Sequence, residues 1–354
     1  MVADVASIND VAKLAKVSIS TVSLAINYPE RVSEQTRQKI FRAMKELRYT
    51  PSSKSVQPGS AKKNSVALIT SEVSGPYFYE IMRGISETLT LNDLEMILLS
   101  GPDAEKRHFH EMAESPFVRG IILLGIDEPL GVDAAGAVQN GVPVVIANAG
   151  SEIEGVGSVS VDNYHIGETV ANHILHIGYR RVALLGERNR ERIPRAAGFV
   201  DALRAGGITI PPELDIPVYL DEKSGYFAME QFLEQGIPLP EVIYCLNDEI
   251  ALGVMSALGQ RGIRVPQEVA VIGCDDVSVS RYVDPPLTTV ALPKFEQGML
   301  SVIQLLRQAS GMPAENIVLN AKLVIRESCG YRLRQSGRRS VQRERTESGQ
   351  KNGD

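Results

Sequence analysis

A short helix that carries small polar side chains at its start can meet the edges of base pairs, and this chain offers one near its N-terminus. Along 18–27, Ile19, Ser20, Ser23, Leu24 and Asn27 fall on one side of a helical period, and Val22 and Ile26 fall on the other. An outward face of hydroxyls, one amide and two aliphatic groups suits entry into a DNA major groove. Ser7, Ser18 and Thr21 add hydroxyls at helix starts, where they can cap or touch phosphate. The rest of the chain spaces no reaction centre. Gly155-Val156-Gly157 stops short of a GxGxxG, and GxxxxGK[ST], GxSxG and HExxH are all missing. His173 and His176 lie three apart without a third ligand. His108, His110 and His165 add no metal spacing, nor do Cys245, Cys274 and Cys329. No enzyme, metal or cofactor is predicted, and free buried thiols fit a reduced, cytoplasmic setting.

Two helices joined by a tight turn must position that polar face. Ser7 is the cap of the first, with Asp10 at capping-box spacing, and Val11, Leu14 and Ala15 recur at helical intervals. Ala12 is small enough for a second helix to cross closely. Val17-Ser18 breaks the pattern, and Ser18 caps the second helix. The shared apolar set is Val11, Ala15, Val17, Val22 and Ile26. An ordinary helical hairpin has the same periodicity, so spacing alone leaves that reading open.

Charge is segregated. Residues 1–63 carry 11 Lys and Arg against 5 Asp and Glu, and 331–354 carry 7 against 3, so 64–330 holds 19 against 35. A basic end on an acidic body fits a chain whose small end meets phosphate. No apolar run reaches the ~18 residues of a membrane span, and residues 1–7 lack the basic start and apolar stretch of a secretory leader. The segment 51–63 is Ser, Pro, Gly and Lys, a linker by composition. Beyond it, apolar strand-like runs at 66–70, 95–100, 120–124, 142–147, 182–185, 242–245 and 269–273 alternate with amphipathic stretches at 79–91, 166–177, 196–205, 225–235 and 249–260. That alternation predicts parallel sheets covered on both faces, and the length predicts two lobes. The tail, 331–354, has almost no apolar content and is predicted to be disordered.

DVAKLAKVSISTVSLAIN followed by RVSEQTRQKIFRAMKELRYTP resembles the headpiece of the LacI–GalR (lactose-repressor/galactose-repressor) family almost position for position. The core phrases PYFYEIMRGI (76–85), VRGIILLG (118–125), GVPVVIAN (141–148), RAAGFVDALRAGGI (195–208), LNDEIALGVMSAL (246–258) and DPPLTTVALP (284–293) resemble the same family in the same order. The resemblance implies a helix-turn-helix headpiece at 1–50, whose third helix is capped by Ser33 and closed by Ile40, Met44 and Leu47. It implies a linker at 51–63 and a periplasmic-binding-protein-like α/β core of parallel, doubly wound sheets at 64–330. The N-lobe would take 64–160 and 292–320, and the C-lobe 161–291 and 321–330, with three crossing strands.

Parallel sheets bind ligands beyond the carboxyl ends of their strands, here between the lobes. The resemblance places Asn148, Arg195, Asn247 and Asp275 at matching cleft positions, with Tyr77 and Phe78 as an aromatic wall. Asn148 stands where relatives often carry Asp. Asn247 could equally cap the helix at 249–260, Tyr77 and Phe78 could be core, and Asp162 could cap or touch ligand. The implied function is a dimeric transcription regulator, a repressor by base rate, on a pseudo-palindromic double-stranded operator. It would answer a small-molecule effector, a sugar or sugar derivative first, with a purine-like ligand or a protein co-effector as the alternative. An α/β enzyme and a free-standing solute-binding protein are remote readings.

The linker departs from the family. Relatives follow Tyr-x-Pro with a hinge helix whose leucine wedges into the minor groove, but this chain has Ser52, Ser53, Ser55 and Val56 there and Pro58 at the leucine position. Little central kinking of the operator is expected. Circular-permutation gel shifts check this: a strong bend that disappears in Val56→Ala would show Val56 acting as a displaced wedge instead.

Overall fold

The computed structural model describes residues 8–27, 32–47, 64–71, 73, 75–125, 133–187 and 193–334; Ser7 and Val56 lie outside the described residues, as do the side chains of Ser23, Leu24, Ile26 and Asn27. The chain divides into two units, Met1–Lys63 and Asn64–Asp354.

The first unit is three helices, α1 (Ile8–Ala15), α2 (Ile19–Asn27) and α3 (Glu34–Glu46). They bury Val11, Ala12, Ala15, Val22, Ala25, Ile40 and Ala43, with Val17, Met44 and Leu47 packed at the margin. Ser18 Oγ accepts from Thr21 N at 3.1 Å, and Ser33 Oγ from Thr36 N at 3.4 Å, so both serines cap as read. Leu14 differs from the expected core, being 43% exposed. At 100° per residue it sits about 110° from the centre of the arc holding Val11, Ala12 and Ala15. Ala12, read as the small residue at the crossing, is buried in this core together with Ala25.

The second unit begins with a six-stranded parallel sheet in the order β11-β5-β4-β3-β1-β2. Its strands are β1 (Ser65–Thr70), β2 (Glu95–Ser100), β3 (Val118–Leu124), β4 (Val144–Ala147), β5 (Gly157–Val161) and β11 (Asn316–Leu319). Ala67 and Ile69 of β1 face the cluster around Phe109, and Val66 and Leu68 face the one around Ile81 and Leu305. A strand buried on both sides needs an unbroken apolar run, which is why β1 was readable. The helices α4 (Gly75–Leu91), α5 (Ala104–Glu114), α6 (Ala134–Gln139) and α11 (Lys294–Ala309) cover this N-lobe sheet.

The C-lobe sheet is parallel too, ordered β7-β6-β8-β9 from β6 (Val182–Gly186), β7 (Asp215–Pro217), β8 (Val242–Cys245) and β9 (Ala270–Ile272). Its helices are α7 (Asn163–Ile177), α8 (Pro194–Ala205), α9 (Glu222–Glu234) and α10 (Asp248–Gln260). The strands β10 (Thr289–Ala291) and β12 (Lys322–Val324) pair antiparallel as the chain passes between lobes. The expected disorder from Tyr331 onward is corrected at its first four residues. Tyr331–Arg334 is helical: Tyr331 stacks near His173 and His176 at 5.6 and 6.2 Å, and Arg334 lies 4.0 Å over Tyr179 and pairs with Glu241 at 2.9 Å.

Helices α7 and α8 touch backbone to backbone through two glycines. A Cβ on Gly167 would lie 2.0 Å from Arg195 O, and one on Gly198 2.1 Å from Tyr164 O. Gly198→Ala must therefore push α8 outward, carrying Arg195 with it. Urea denaturation should show a loss of about 1–3 kcal/mol, and unchanged stability would mean the crossing has slack.

Candidate functional site

In the first unit, the start of α2 presents a compact hydroxyl group. Ser18 Oγ lies 2.7 Å from Thr21 Oγ1 and 3.0 Å from Ser20 Oγ. Ser18, Ile19 and Ser20 are exposed, and Thr21 is half-buried. The opposite side of the helix goes into the core through Val22 and Ala25. Packing thus commits one face of α2 and leaves Ile19 and Ser20 to a partner. Lys16 makes the turn before it with φ +55°, a left-handed conformation that sequence spacing did not mark.

In the second unit, chemistry gathers where strands end near the lobe crossing. Asn148 follows β4 with φ +72°, and Asp275 and Asp276 follow β9 with φ +120° and +49°. Left-handed backbone at three non-glycine positions beside one cleft costs energy that the surroundings must offset. Parallel bridging of Asp275 to Ala291 and the bond from Asp275 N to Val290 O (2.9 Å) hold that turn. Lys294, itself buried, donates from Nζ to the carbonyls of Asp275 and Asp276.

Arg195, in the first turn of α8, is almost fully enclosed. Its Nε and Nη2 donate to Asn163 Oδ1 at 3.1 and 2.8 Å, and Nη1 donates to Leu246 O at 2.7 Å. Nη1 also lies 3.7 Å from the Asp275 carboxylate. Burial pushes the Asp275 carboxyl up to about 7, against the downward pull of Arg195. Tyr77 packs against the apolar clusters of both lobes and donates its hydroxyl to Asn148 Oδ1. Phe78 meets Tyr77 edge-on at 5.5 Å and packs only in the N-lobe cluster. The structure thus joins Tyr77 with Asn148 and Arg195 with Asp275.

Asn247 and Asp162 each cap a helix. Asn247 Oδ1 accepts from Ile250 N at 2.9 Å and its Nδ2 donates to Leu220 O at 3.1 Å, so both ends of the amide are used within the C-lobe. Asp162 Oδ1 accepts from His165 N at 2.9 Å. Four further residues escaped the sequence reading: Asn163, Asp248, Lys294 and Gln297. Asp248 is wholly buried and accepts from Val277 N (2.9 Å), Ser280 Oγ (2.7 Å) and Thr289 Oγ1 (2.6 Å), tying α10 to the crossing strand β10. Its place beside Asn247 was a signal; for Lys294 and Gln297 there was none. Among the described residues no group of His, Cys, Asp and Glu could hold a metal ion, and no helix is long and apolar enough to cross a membrane. A pocket of about 420 Å³ lies between Pro76, Tyr79, Asp276, Arg281, Lys294 and Phe295, sharing Asp276 and Lys294 with this region.

The model of bacterial regulatory proteins, lacI family, matches residues 7–52, and that of the periplasmic binding protein-like domain matches 171–329. The HTH-type transcriptional repressor CytR of Escherichia coli K12 is 30% identical over 333 residues, covering 91% of this chain and 96% of that protein. The chain belongs to the lacI family. The structure of the transcriptional regulator CelR–cellobiose complex is similar with a TM-score of 0.65 and 27% identity, over 91% of this chain and 99% of that one. The lac repressor dimer bound to operator and the anti-inducer ONPF gives 0.64 and 25%, over 92% and 99%. As a member, this chain is an effector-controlled DNA-binding transcription regulator and not an enzyme.

Arg195 in this LacI-family regulator depends on Asn163. Asn163→Ala leaves two guanidinium donors of a buried arginine without their acceptor, at a cost of about 1–3 kcal/mol. Chemical denaturation against wild type measures it, and a loss below ~0.5 kcal/mol would mean that Arg195 finds another partner.

Proposed function

We propose that this protein is a dimeric repressor whose two headpieces read the half-sites of a pseudo-palindromic operator, under control of a sugar or sugar derivative held between the core lobes. Ile19, Ser20 and Leu24 would read bases, and Ser7, Ser18, Thr21, Ser23 and Asn27 would meet the backbone. In the cleft, Arg195 and Asp275 would hold paired hydroxyls, because a planar fork beside a carboxylate offers donors and an acceptor together. Asn148 and Tyr77 would close on the ligand from the N-lobe, with Phe78 behind them. The observation that carries this reading is the buried Arg195–Asp275 pair at the strand ends, with Tyr77 packed against both lobes. The relative crystallised with cellobiose and the operator-bound dimer support the same reading. Asn247 would join the cleft residues through the second N–H and the second lone pair of its amide, the cap and the bond to Leu220 O using one of each.

Ligand that bridges the lobes fixes their separation, and that separation sets the spacing of the headpieces in a two-fold dimer. Arg195→Ala should weaken effector binding ten- to a hundredfold, about 1.5–3 kcal/mol, while operator binding persists. A variant responding at the wild-type effector concentration would remove Arg195 from the site. Ser20→Ala should alter the sequences selected from random DNA; identical selections would remove Ser20 from base reading.

Asp275 gives a pH signature. With its carboxyl raised to about 7, lowering the pH from 8 to 6 protonates most of it and weakens binding by about tenfold where the ionised form accepts ligand hydroxyls. The stability effect has the opposite direction. A raised carboxyl favours the folded state while protonated, so its contribution is present below pH ~4 and is lost as pH rises through about 7. Titration of effector affinity in wild type and Asp275→Asn checks this, the variant being flat across that range.

A further inference from the structure

A lysine stands where local physics disfavours one. Lys294 is the first residue of α11, and the positive end of a helix dipole repels a cation. Its side chain is buried, and burying an ammonium is costly unless its donors are met. Methionine would fill the same space with neither penalty. What meets the ammonium is backbone: Nζ donates to Asp275 O and, at 3.4 Å, to Asp276 O.

Those two carbonyls belong to the turn that presents the Asp275 carboxylate. Asp275 and Asp276 are both left-handed, a conformation that persists only where the surroundings over-determine it. The amides of the turn are held by β10: Asp275 N donates to Val290 O at 2.9 Å, and Asp276 N to Thr289 Oγ1 at 3.2 Å. Arg326 holds the Asp276 carboxylate at 2.5 Å. Lys294 takes the carbonyl side, and the Asp275 carboxylate is left toward Arg195, 3.7 Å away. The lysine works from a firm base, because α11 lies on α4 with backbone against backbone. A Cβ on Gly298 would stand 2.0 Å from Ile81 O, and one on Gly84 2.2 Å from Phe295 O.

We propose that Lys294 is a positioning residue for effector recognition: by holding both carbonyls of the left-handed turn, it aims the Asp275 carboxylate at Arg195 and so at the ligand. This rests on the reading of the cleft as the effector site. One ammonium suits the task because its three N–H bonds diverge and can serve two carbonyls at once. Its charge adds a second effect. Burial raises the Asp275 carboxyl, and Lys294, after Arg195, pulls it back toward the ionised form that accepts hydroxyls. A single side chain thus acts on both the direction and the charge of the carboxylate.

Hydrogen–deuterium exchange of the full-length protein, read by mass spectrometry, tests the aim without a ligand. Lys294→Met should speed exchange over residues 273–278 about tenfold or more while β6 is unchanged. Lys294→Arg, which keeps donors and charge, should restore most of the protection. Lys294→Gln gives the same comparison where methionine costs the fold. Thermal shift with a panel of pentoses, hexoses, disaccharides and nucleosides then supplies a binding probe. Lys294→Met should weaken that probe about tenfold with operator binding retained. The pH below which affinity falls should also move upward, since Arg195, Asp248 and Glu249, which act on the same carboxylate, stay in place. A merely structural lysine would leave that pH where it was. Unchanged exchange over 273–278 overturns the inference. So does a probe that binds wild type and Lys294→Met equally and with the same pH dependence; if Arg195→Ala abolishes that binding, the cleft reading survives. Binding unaffected by both Lys294→Met and Arg195→Ala overturns both, as does a panel in which nothing raises Tm.

Discussion

A guanidinium and a carboxylate lie 3.7 Å apart in the C-lobe, their side chains 14% and 8% exposed, and much of the neighbouring structure serves to make that tolerable. Two charges taken out of water are stable only where their remaining donors and acceptors are met. Asn163 and Leu246 O meet the arginine, so that its fork is oriented before any ligand arrives. The carboxylate has weaker support, because Lys294 and Val290 hold its backbone and not its oxygens. Its proton affinity is raised, first of all by burial. On the proposed function, a ligand hydroxyl would supply the donor that the carboxylate oxygens lack.

The helices around the pair are set by contact between backbones, not by large side chains. Gly167 with Gly198 joins α7 to α8, Gly84 with Gly298 joins α4 to α11, and Gly225 with Gly253 joins α9 to α10, each glycine facing a carbonyl of its neighbour. Such crossings leave little room to slide. Where the chain passes between lobes, Asp248 fastens β10 and the turn after β9 to the C-lobe by accepting from Thr289, Val277 and Ser280.

The parts of this architecture that were legible are those with local periodicity. Strands buried on both faces read as apolar runs, and Ser18 announced its helix by cap chemistry, whereas Ser33 came through the resemblance. The strands β7, β10 and β12 are three residues each and have no period to show; they exist because a distant strand pairs with them. Resemblance found Arg195 and Asp275, yet not Asn163, whose role depends on the meeting of α7 and α8. The amide cluster was further out of reach, since Tyr77 and Gln297 come to Asn148 from 71 and 149 residues away. Asn247 was ambiguous for a physical reason: one residue at a strand-to-helix junction can cap the helix and still face the cleft. Tyr331–Arg334 belied a polar composition because one tyrosine and one arginine found aromatic and acidic partners.

Coupling in such a design is limited by how much more tightly ligand binds one lobe arrangement than the other. Moving an equilibrium from 1:99 to 99:1 takes about 5.5 kcal/mol of differential binding. Hydrogen bonds contribute about 1.5–3 kcal/mol each when charge-assisted and about 0.5–1.5 when neutral, so roughly two to four charged contacts, or more neutral ones, must be made only at one lobe separation. Arg195 and Asp275 sit on one lobe and Asn148 and Tyr77 on the other, hence a ligand spanning both sets makes its full complement at a single separation. Contacts to one lobe alone are equal in both states and shift nothing. On the proposed site, a molecule that met Arg195 and Asp275 without reaching Asn148 would bind without favouring either lobe separation.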